Sequence, residues 1–269
     1  MYAFLISFSL ALAVWCGLFF SDVLGYGWST FWATLAFVVS QVLIGRHFQK
    51  KLKAGMGEVQ GIMLAGQKRL QAKVQRWQVN PPGSMQAAQA EMMRDTKVFV
   101  KDALAATETL RRYQGWVPLM KRQIATAQLQ LHWMVKEFDE VDRLMPQALT
   151  IDPTIASMKM ARMQMKNEPI AEIEKLYRKT VRRLRYNQNV VPAALYSWIL
   201  VKRGDVDGAF KALTEALKNS DDSVLRQNHE HLMNNRVNNF SNANLGDKWY
   251  TLMLEEPRMS RPRSRMHWR

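Results

Sequence analysis

Two long uncharged apolar runs occupy the first 45 residues, and they constrain the fold more than any other feature of the chain. Tyr2 to Phe20 and Tyr26 to Ile44 are nineteen residues each, and a helix needs about 20 apolar residues to cross the hydrocarbon core of a bilayer. A short segment with one charged residue, Asp22, separates them. We therefore predict a transmembrane helical hairpin over residues 1–45.

A cleaved signal peptide and a buried hairpin of a soluble protein are the alternatives. No Lys or Arg precedes the first run and no small-residue cleavage site follows Phe20, which disfavours cleavage. Two full-length uncharged runs are long for a soluble core. The basic residues that follow the second run, Arg46, Lys50, Lys51 and Lys53, predict a cytoplasmic exit, with both termini on that side.

Residues 46–83 are predicted to form a basic amphipathic linker helix. Its apolar positions recur at steps of three and four, in the order Leu52, Met56, Val59, Met63, Leu70, Val74 and Trp77, with Gly66 at the missing position. Four glycines between Gly55 and Gly66 each weaken a helix by up to about 1 kcal/mol relative to Ala. We expect a helix packed against a partner or a surface rather than an isolated coiled coil.

The soluble domain is predicted to span residues 84–256 and to be all-α. Ser84 can cap its first helix after the Pro81–Pro82–Gly83 break. The spacing of three and four then continues through Met85, Ala88, Met92, Thr96, Phe99, Ala103, Ala106 and Leu110, and no segment alternates with a period of two. Residues 257–269 are expected to be a basic disordered tail.

The sequence carries no motif of catalytic or metal chemistry. It has 38 Lys and Arg against 23 Asp and Glu, for a net charge of +15, and a single cysteine, Cys16. No phosphate-binding, dinucleotide-binding, zinc-protease or serine-hydrolase signature occurs, and His229 and His231 would face different sides of a helix. We therefore predict that the protein is not an enzyme and has no cofactor or metal.

A possible repeat begins at Ala193 and reads AALYSWILVKRGDVDGAFKALTEALKNS. It resembles a tetratricopeptide repeat, with Ser197 in the small packing position, Gly204 in the turn and Ala209 in the second helix. Two degenerate copies precede it, so that the resemblance covers about Arg122 to Asp221. Val141, Ile173 and Ala209 are 32 and 36 residues apart, which brackets the 34-residue period of the family.

The resemblance implies a helical solenoid that binds proteins; a generic helical array is the alternative. The layout of a two-helix anchor, basic linker and helical repeats is similar to bacterial inner-membrane proteins of the HemY N-terminal type. That similarity implies a bacterial inner membrane as the location, and it is one of architecture alone.

In the tetratricopeptide family the first helix of each repeat lines a concave groove. The matching positions predict a partner-binding groove formed by Gln123, Thr126, Gln130, Trp133, Met158, Arg162, Lys166, Trp198 and Lys202. Such a groove would suit an acidic or helical segment of a protein partner. For Trp133 and Trp198, burial between the repeats is the open alternative.

Basic clusters are predicted to contact anionic surfaces. Those contacts are Lys50, Lys51 and Lys53 beside the membrane, Arg182, Arg183 and Arg185 in a helix, and Arg261, Arg263 and Arg265 in the tail. Membrane lipid is the expected partner of the first set, although a solvated helix face explains it equally well. The main hypothesis is a membrane-anchored scaffold; the alternative is a nucleic-acid or ribosome-binding protein that uses the basic helix and tail.

Overall fold

The computed structural model describes residues 2–20, 26–80, 83–116 and 119–256. These residues form α-helices and short 3₁₀ turns and contain no β-strand, so the all-α prediction is confirmed. They fold as two compact units, Met1–Leu149 and Thr150–Arg269. The tail arginines Arg261, Arg263 and Arg265 lie outside the described residues.

Helices α1 (Tyr2–Phe20) and α2 (Tyr26–Val79) pack as an antiparallel hairpin. The Phe4 and Phe37 rings meet edge to face at 5.6 Å, and Gln41 Nε2 donates a hydrogen bond to the Ala3 carbonyl at 3.3 Å. Small residues let the two helices approach closely. The buried small residues are Ala3, Ser7, Ser29 and Ala33.

Helix α2 runs without a break through the predicted end of the hairpin. It is 54 residues long and contains both the second apolar run and the basic linker. A boundary between the hairpin and the linker was predicted at residues 45 and 46, where the first basic residue follows the uncharged apolar run. A charged residue ends an apolar run but does not end a helix, and no proline lies between Tyr26 and Val79.

Helix α3 (Met85–Thr109) is the partner of the apolar stripe on α2. Ser84 caps it, since its Oγ accepts a hydrogen bond from Ala87 N at 3.1 Å. The two helices are antiparallel, because Lys73 of α2 pairs with Glu91 near the start of α3. Their shared core contains Val59, Met63, Leu70, Phe99, Ala103 and Ala106.

Two glycines of α2 lie directly under large side chains. A Cβ atom on Gly66 would collide with the Phe99 ring, and one on Gly55 would collide with the Leu110 side chain. Gly57 and Gly61 have open space instead. Gly55 and Gly66 are therefore holes into which the partner side chains insert, a packing role that helix propensity does not reveal.

The first unit ends with a 3₁₀ turn (Leu110–Tyr113), α4 (Met120–Met134) and α5 (Phe138–Leu144). Leu110, Met120 and Ile124 form a second small core, with Leu52 and Met56 of α2 packed against it. Gln128 Nε2 donates to Thr107 Oγ1 at 3.1 Å. These contacts fasten α4 to the α2–α3 pair.

The second unit contains α6 (Pro153–Met165), α7 (Ile170–Val181), α8 (Val190–Lys202), α9 (Val206–Leu217), α10 (Ser223–Met233) and the short α11 (Asp247–Tyr250). Helix α8 is central, since every residue from Pro192 to Leu200 is buried. Helix α7 ends at Val181. Arg182, Arg183 and Arg185 therefore lie in the segment after α7 rather than in the basic helix that was predicted.

Four helix ends share one local geometry. After α4, α6, α8 and α10, a residue with positive φ closes the helix: Lys136, Asn167, Gly204 and Asn235. In each case the next residue donates its N–H to a carbonyl five residues back, as in Glu137 to His132 and Asp205 to Leu200, which is the Schellman closure. The four positions are 31, 37 and 31 residues apart.

The positions that suggested repeats are buried in every copy. Val141, Ile173 and Ala209 are all 0 % exposed. At the small packing position of the first helix, Ala161 and Ser197 are also 0 % exposed, and so is Leu129, which departs from the small residue expected there. Val141, Ile173 and Ala209 are each the fourth residue of the second helix in the pairs α4–α5, α6–α7 and α8–α9.

A buried asparagine pair joins the segment after α10 to the rest of the second unit. Asn228 Nδ2 donates to Asn242 Oδ1 at 2.8 Å, and Asn242 Nδ2 donates to the Ala194 carbonyl at 2.9 Å. The Asn228 and Asn242 side chains are buried. They fasten the segment after α10 to the central helix α8.

Candidate functional site

The surface of the N-terminal hairpin is apolar and exposed. Tyr2–Phe20 and the start of α2 are long and apolar enough to cross a membrane, and 11 % of the residues in each apolar window are buried. Phe4, Trp28 and Leu43 are each more than half exposed. A helix at the core of a soluble protein would be mostly buried instead.

An aromatic cluster lies at the open end of this hairpin. It consists of Tyr2, Phe48, Tyr113 and Trp116, and the Phe48 and Trp116 rings stack at 4.5 Å. Tyr2 packs on Trp116 at 5.6 Å and donates its backbone N–H to the Gly115 carbonyl at 3.0 Å. The segment that follows α3 therefore contacts the first residue of α1 and the stretch of α2 just beyond its apolar run.

Exposed cations flank Phe48 of the aromatic cluster in the sequence. Arg46, Lys50, Lys51 and Lys53 are exposed on α2, and the Arg112 guanidinium lies 4.9 Å from the Tyr113 ring centre. None of the four α2 cations forms an ion pair within the described ranges. They are available to anionic groups at the level where the apolar surface ends.

The predicted groove positions in the first unit are only partly accessible. Gln123, Thr126 and Gln130 are half-buried, and Thr126 Oγ1 accepts a hydrogen bond from Leu149 N at 2.8 Å. Trp133 is 0 % exposed and packs edge to face on Phe138. For Trp133 the structure thus shows the buried alternative, because its ring fills the angle between α4 and α5.

In the second unit, other residues cover Trp198 at the centre of the predicted groove. Trp198 is buried, and its Nε1 donates to Glu255 Oε1 at 2.8 Å while Trp249 Nε1 donates to Glu255 Oε2 at 2.8 Å. Met158 is also buried, Arg162 is half-buried, and Lys166 and Lys202 are exposed. The residues around Trp249 and Glu255 cover this face of α8, so Trp198 is unavailable to a partner. Sequence reasoning did not single out Glu255.

An open cleft lies elsewhere on the same unit, between α7 and α9. It has a volume of about 690 Å³, within the range of known ligand sites. Tyr177, Val181, Leu184, Tyr196 and Leu200 supply its apolar lining. The rings of Tyr177 and Tyr196 stack at 4.3 Å between centroids, which joins α7 to α8 beneath the cleft.

The carboxylates that line the cleft are already engaged. Glu174 accepts from Arg178 Nε at 2.8 Å, Asp205 accepts from Gly208 N at 2.8 Å, and Glu215 pairs with Lys218 at 2.9 Å. Arg182 and Lys211 also line the cleft. Over the part of the chain that the structure describes, their side chains have no carboxylate partner.

Both stacked tyrosines are held in the neutral form. Burial raises the pKa of the Tyr196 hydroxyl to about 12, and the charge of Glu174 adds to the rise. Burial likewise raises the pKa of Tyr177 well above its usual value, with smaller contributions from Tyr196 and Glu215. The Tyr177 hydroxyl is buried without a hydrogen-bond partner among the described residues.

The remaining cationic positions lie on α7 and just after it. Arg182, Arg183 and Arg185 are exposed beyond the end of α7, but Arg178 and Lys175 on that helix pair with Glu174 and Glu172. Within the described ranges, no three His, Cys, Asp or Glu side chains are grouped as a metal site.

Comparison of the sequence and structure with protein-family models, curated proteins and solved structures finds no match.

Proposed function

We propose that this protein is a membrane-anchored scaffold that binds a protein partner through its helical units. The observation that carries the proposal is the exposed apolar hairpin, which ends at an aromatic and basic layer. Such a layer is typical of the boundary between hydrocarbon and water. Anchoring raises the effective concentration of a partner at the membrane without requiring strong contacts.

Contacts of α1 with the rest of the first unit favour a retained anchor over a cleaved signal peptide. Tyr2 is tied to Gly115 and Trp116, and Ala3 accepts from Gln41. Cleavage after Phe20 would remove all of these contacts. The cations at Arg46 to Lys53 favour a cytoplasmic exit, and a bacterial inner membrane remains the proposed location.

The recurring helix pairs support a repeat solenoid of the tetratricopeptide type as the binding domain. Three pairs place Val141, Ile173 and Ala209 in equivalent buried positions, and four Schellman closures follow their first helices and α10. Repeats of this kind bury a continuous core only by stacking. They are used mainly to hold other proteins rather than to catalyse reactions.

Binding to nucleic acid or the ribosome is the second candidate. It is favoured by the net charge of +15 and by exposed Arg182, Arg183 and Arg185 near the end of α7. Phosphate contacts of this kind weaken steeply as salt rises. The ion pairs that neutralise Arg178 and Lys175 reduce the cationic surface of that helix.

Purification of the full-length protein in mild detergent separates the two candidates. Half of the sample is treated with nuclease, and the copurifying molecules are identified in both halves. A defined protein that remains after nuclease supports the scaffold. Ribosomal proteins or RNA that are lost on treatment, and that no longer copurify with a chain ending at Pro257, would contradict it and favour the second candidate.

A further inference from the structure

We propose that the cleft between α7 and α9 is the site that binds the protein partner, and that it takes a short acidic peptide segment with a neighbouring apolar side chain. This inference rests on the scaffold proposed above. It moves the binding site away from the Trp198 face, which Glu255 and Trp249 close.

The charge of the cleft selects an anion. Three carboxylates line it, but each is held by Arg178, Gly208 N or Lys218. Arg182 and Lys211 have no carboxylate partner among the described residues. They outnumber Asp205, the one lining carboxylate that a neutral backbone N–H holds, so the uncompensated charge is positive. A carboxylate beside either cation would form charge-assisted hydrogen bonds.

The lining of the cleft also requires an apolar group. Val181, Leu184, Leu200 and the two stacked tyrosine rings form its walls and floor, and Tyr186 beside it is 64 % exposed. An aromatic or aliphatic side chain next to the bound carboxylate would bury this surface. The Tyr196 hydroxyl stays protonated at neutral pH and can donate to a peptide carbonyl.

The same pattern disfavours a nucleic-acid strand. A phosphate backbone carries a charge at every nucleotide. Among the described residues that line the cleft, two cations, Arg182 and Lys211, lack a carboxylate partner, so they can pair with two phosphates at most. Helices α7 and α9 are twelve residues each, about 18 Å long. About five extended residues match that length, so one carboxylate and one or two apolar side chains fit.

A peptide-display experiment tests the site directly. Full-length protein in detergent micelles is panned against a library of random twelve-residue peptides, and the selected peptides are titrated against variants. We expect enrichment of Asp or Glu beside an aromatic or aliphatic residue. Arg182→Glu and Lys211→Glu should each weaken binding by about tenfold, because each removes a charge-assisted bond.

Arg183→Glu is the matched control, since it makes the same charge change one residue away, at a position that does not line the cleft. It should leave peptide affinity unchanged. Circular dichroism of all three variants verifies that they fold. Peptides without acidic residues, or equal loss of affinity in the Arg183 variant, would overturn the inference, and so would failure to enrich any peptide.

Copurification of the protein partner distinguishes failure of the cleft proposal from failure of the scaffold proposal. If a nuclease-resistant partner copurifies equally well with wild-type protein and with the Arg182→Glu, Lys211→Glu double variant, the scaffold stands and the cleft is wrong. If no protein copurifies with either, the scaffold fails as well. Loss of the partner from the double variant alone supports both.

Discussion

Single side chains determine which faces of this protein are accessible to a partner and which are covered. Glu255 is the clearest case, because its two carboxylate oxygens satisfy two indole N–H groups, those of Trp198 and Trp249, and thereby cover α8. Its contact with Trp198 spans 57 residues of sequence. Spacing within the chain cannot predict such a contact, so the sequence left open whether Trp198 lines a groove or is buried, and the structure shows it buried.

Replacement of Glu255 by Gln should destabilise the second unit. A glutamine has one acceptor oxygen, so one of the two indole N–H groups would be left without a partner. We expect a loss of about 1–3 kcal/mol in the free energy of unfolding, measured by urea unfolding of full-length protein in detergent, and an altered near-ultraviolet circular dichroism signal. Glu256→Gln, at an exposed position, is the control and should behave as wild type.

The stacked pair Tyr177 and Tyr196 should make stability fall at alkaline pH. In the unfolded chain both phenols ionise near pH 10, whereas in the folded protein their pKa values are raised, to about 12 for Tyr196. The folded state therefore binds more protons above pH 10, and the free energy of unfolding decreases as pH rises through that range. Below pH 10 both phenols are protonated in the folded and in the unfolded chain, so they cause no change of the free energy of unfolding with pH there.

Tyr177→Phe tests the alkaline effect. The variant should be at least as stable as wild type at pH 7, because the Tyr177 hydroxyl has no hydrogen-bond partner among the described residues. At pH 11 it should lose less stability than wild type does, as followed by urea unfolding at both pH values. Tyr186→Phe, at an exposed position, is the control. Equal alkaline loss in wild type and Tyr177→Phe would show that the buried phenol contributes nothing.

At the scale of elements, periodicity predicted most of what is observed. The stripes from Leu52 to Leu70 and from Phe99 to Leu110 meet in the core between α2 and the α3 segment, since a spacing of three and four places residues on one helix face. Two features were missed. The continuity of α2 was missed because hydropathy reports which residues are apolar and does not mark where a helix ends. The packing of Gly66 against Phe99 was missed because helix propensity takes no account of the partner helix.

Substitution at Gly66 should separate packing from propensity. Gly66→Ala forces a Cβ atom into the Phe99 ring, and we expect a loss of about 1–3 kcal/mol in stability from overpacking. Gly61→Ala meets nothing and should gain up to about 1 kcal/mol from higher helix propensity. Thermal unfolding followed by far-ultraviolet circular dichroism measures both. Stabilisation by Gly66→Ala would contradict the tight α2–α3 contact.

At the scale of the whole molecule, the sequence predicted the apolar hairpin and the helical class, because both depend on local composition and period. The dependence of the first unit on its own N-terminus was not predicted. Tyr2 reaches Gly115 and Trp116, and only a folded chain brings residues so distant in sequence together. The hairpin is therefore part of the packing of the first unit as well as its proposed anchor.

The proposed topology can be read from cysteine labelling. Cys16 is the single native cysteine, so a Cys16→Ser chain accepts one new cysteine at a time. In bacterial spheroplasts, Asp22→Cys should react with a membrane-impermeant maleimide, and Lys248→Cys should react only after permeabilisation. Labelling of both sites before permeabilisation, or the reverse pattern, would contradict a hairpin with a cytoplasmic helical domain.

With the proposed anchor in a bilayer, the unbroken course of α2 would couple membrane thickness to the position of the helix beyond Ile44. About 35 residues of this helix follow Ile44, which is about 50 Å of rod. Apolar helices change tilt when the bilayer becomes thicker or thinner. A change of about 10° in tilt would displace the Val79 end by about 9 Å, mostly parallel to the bilayer surface, so that lipid composition would shift the lateral position of this end of the helix.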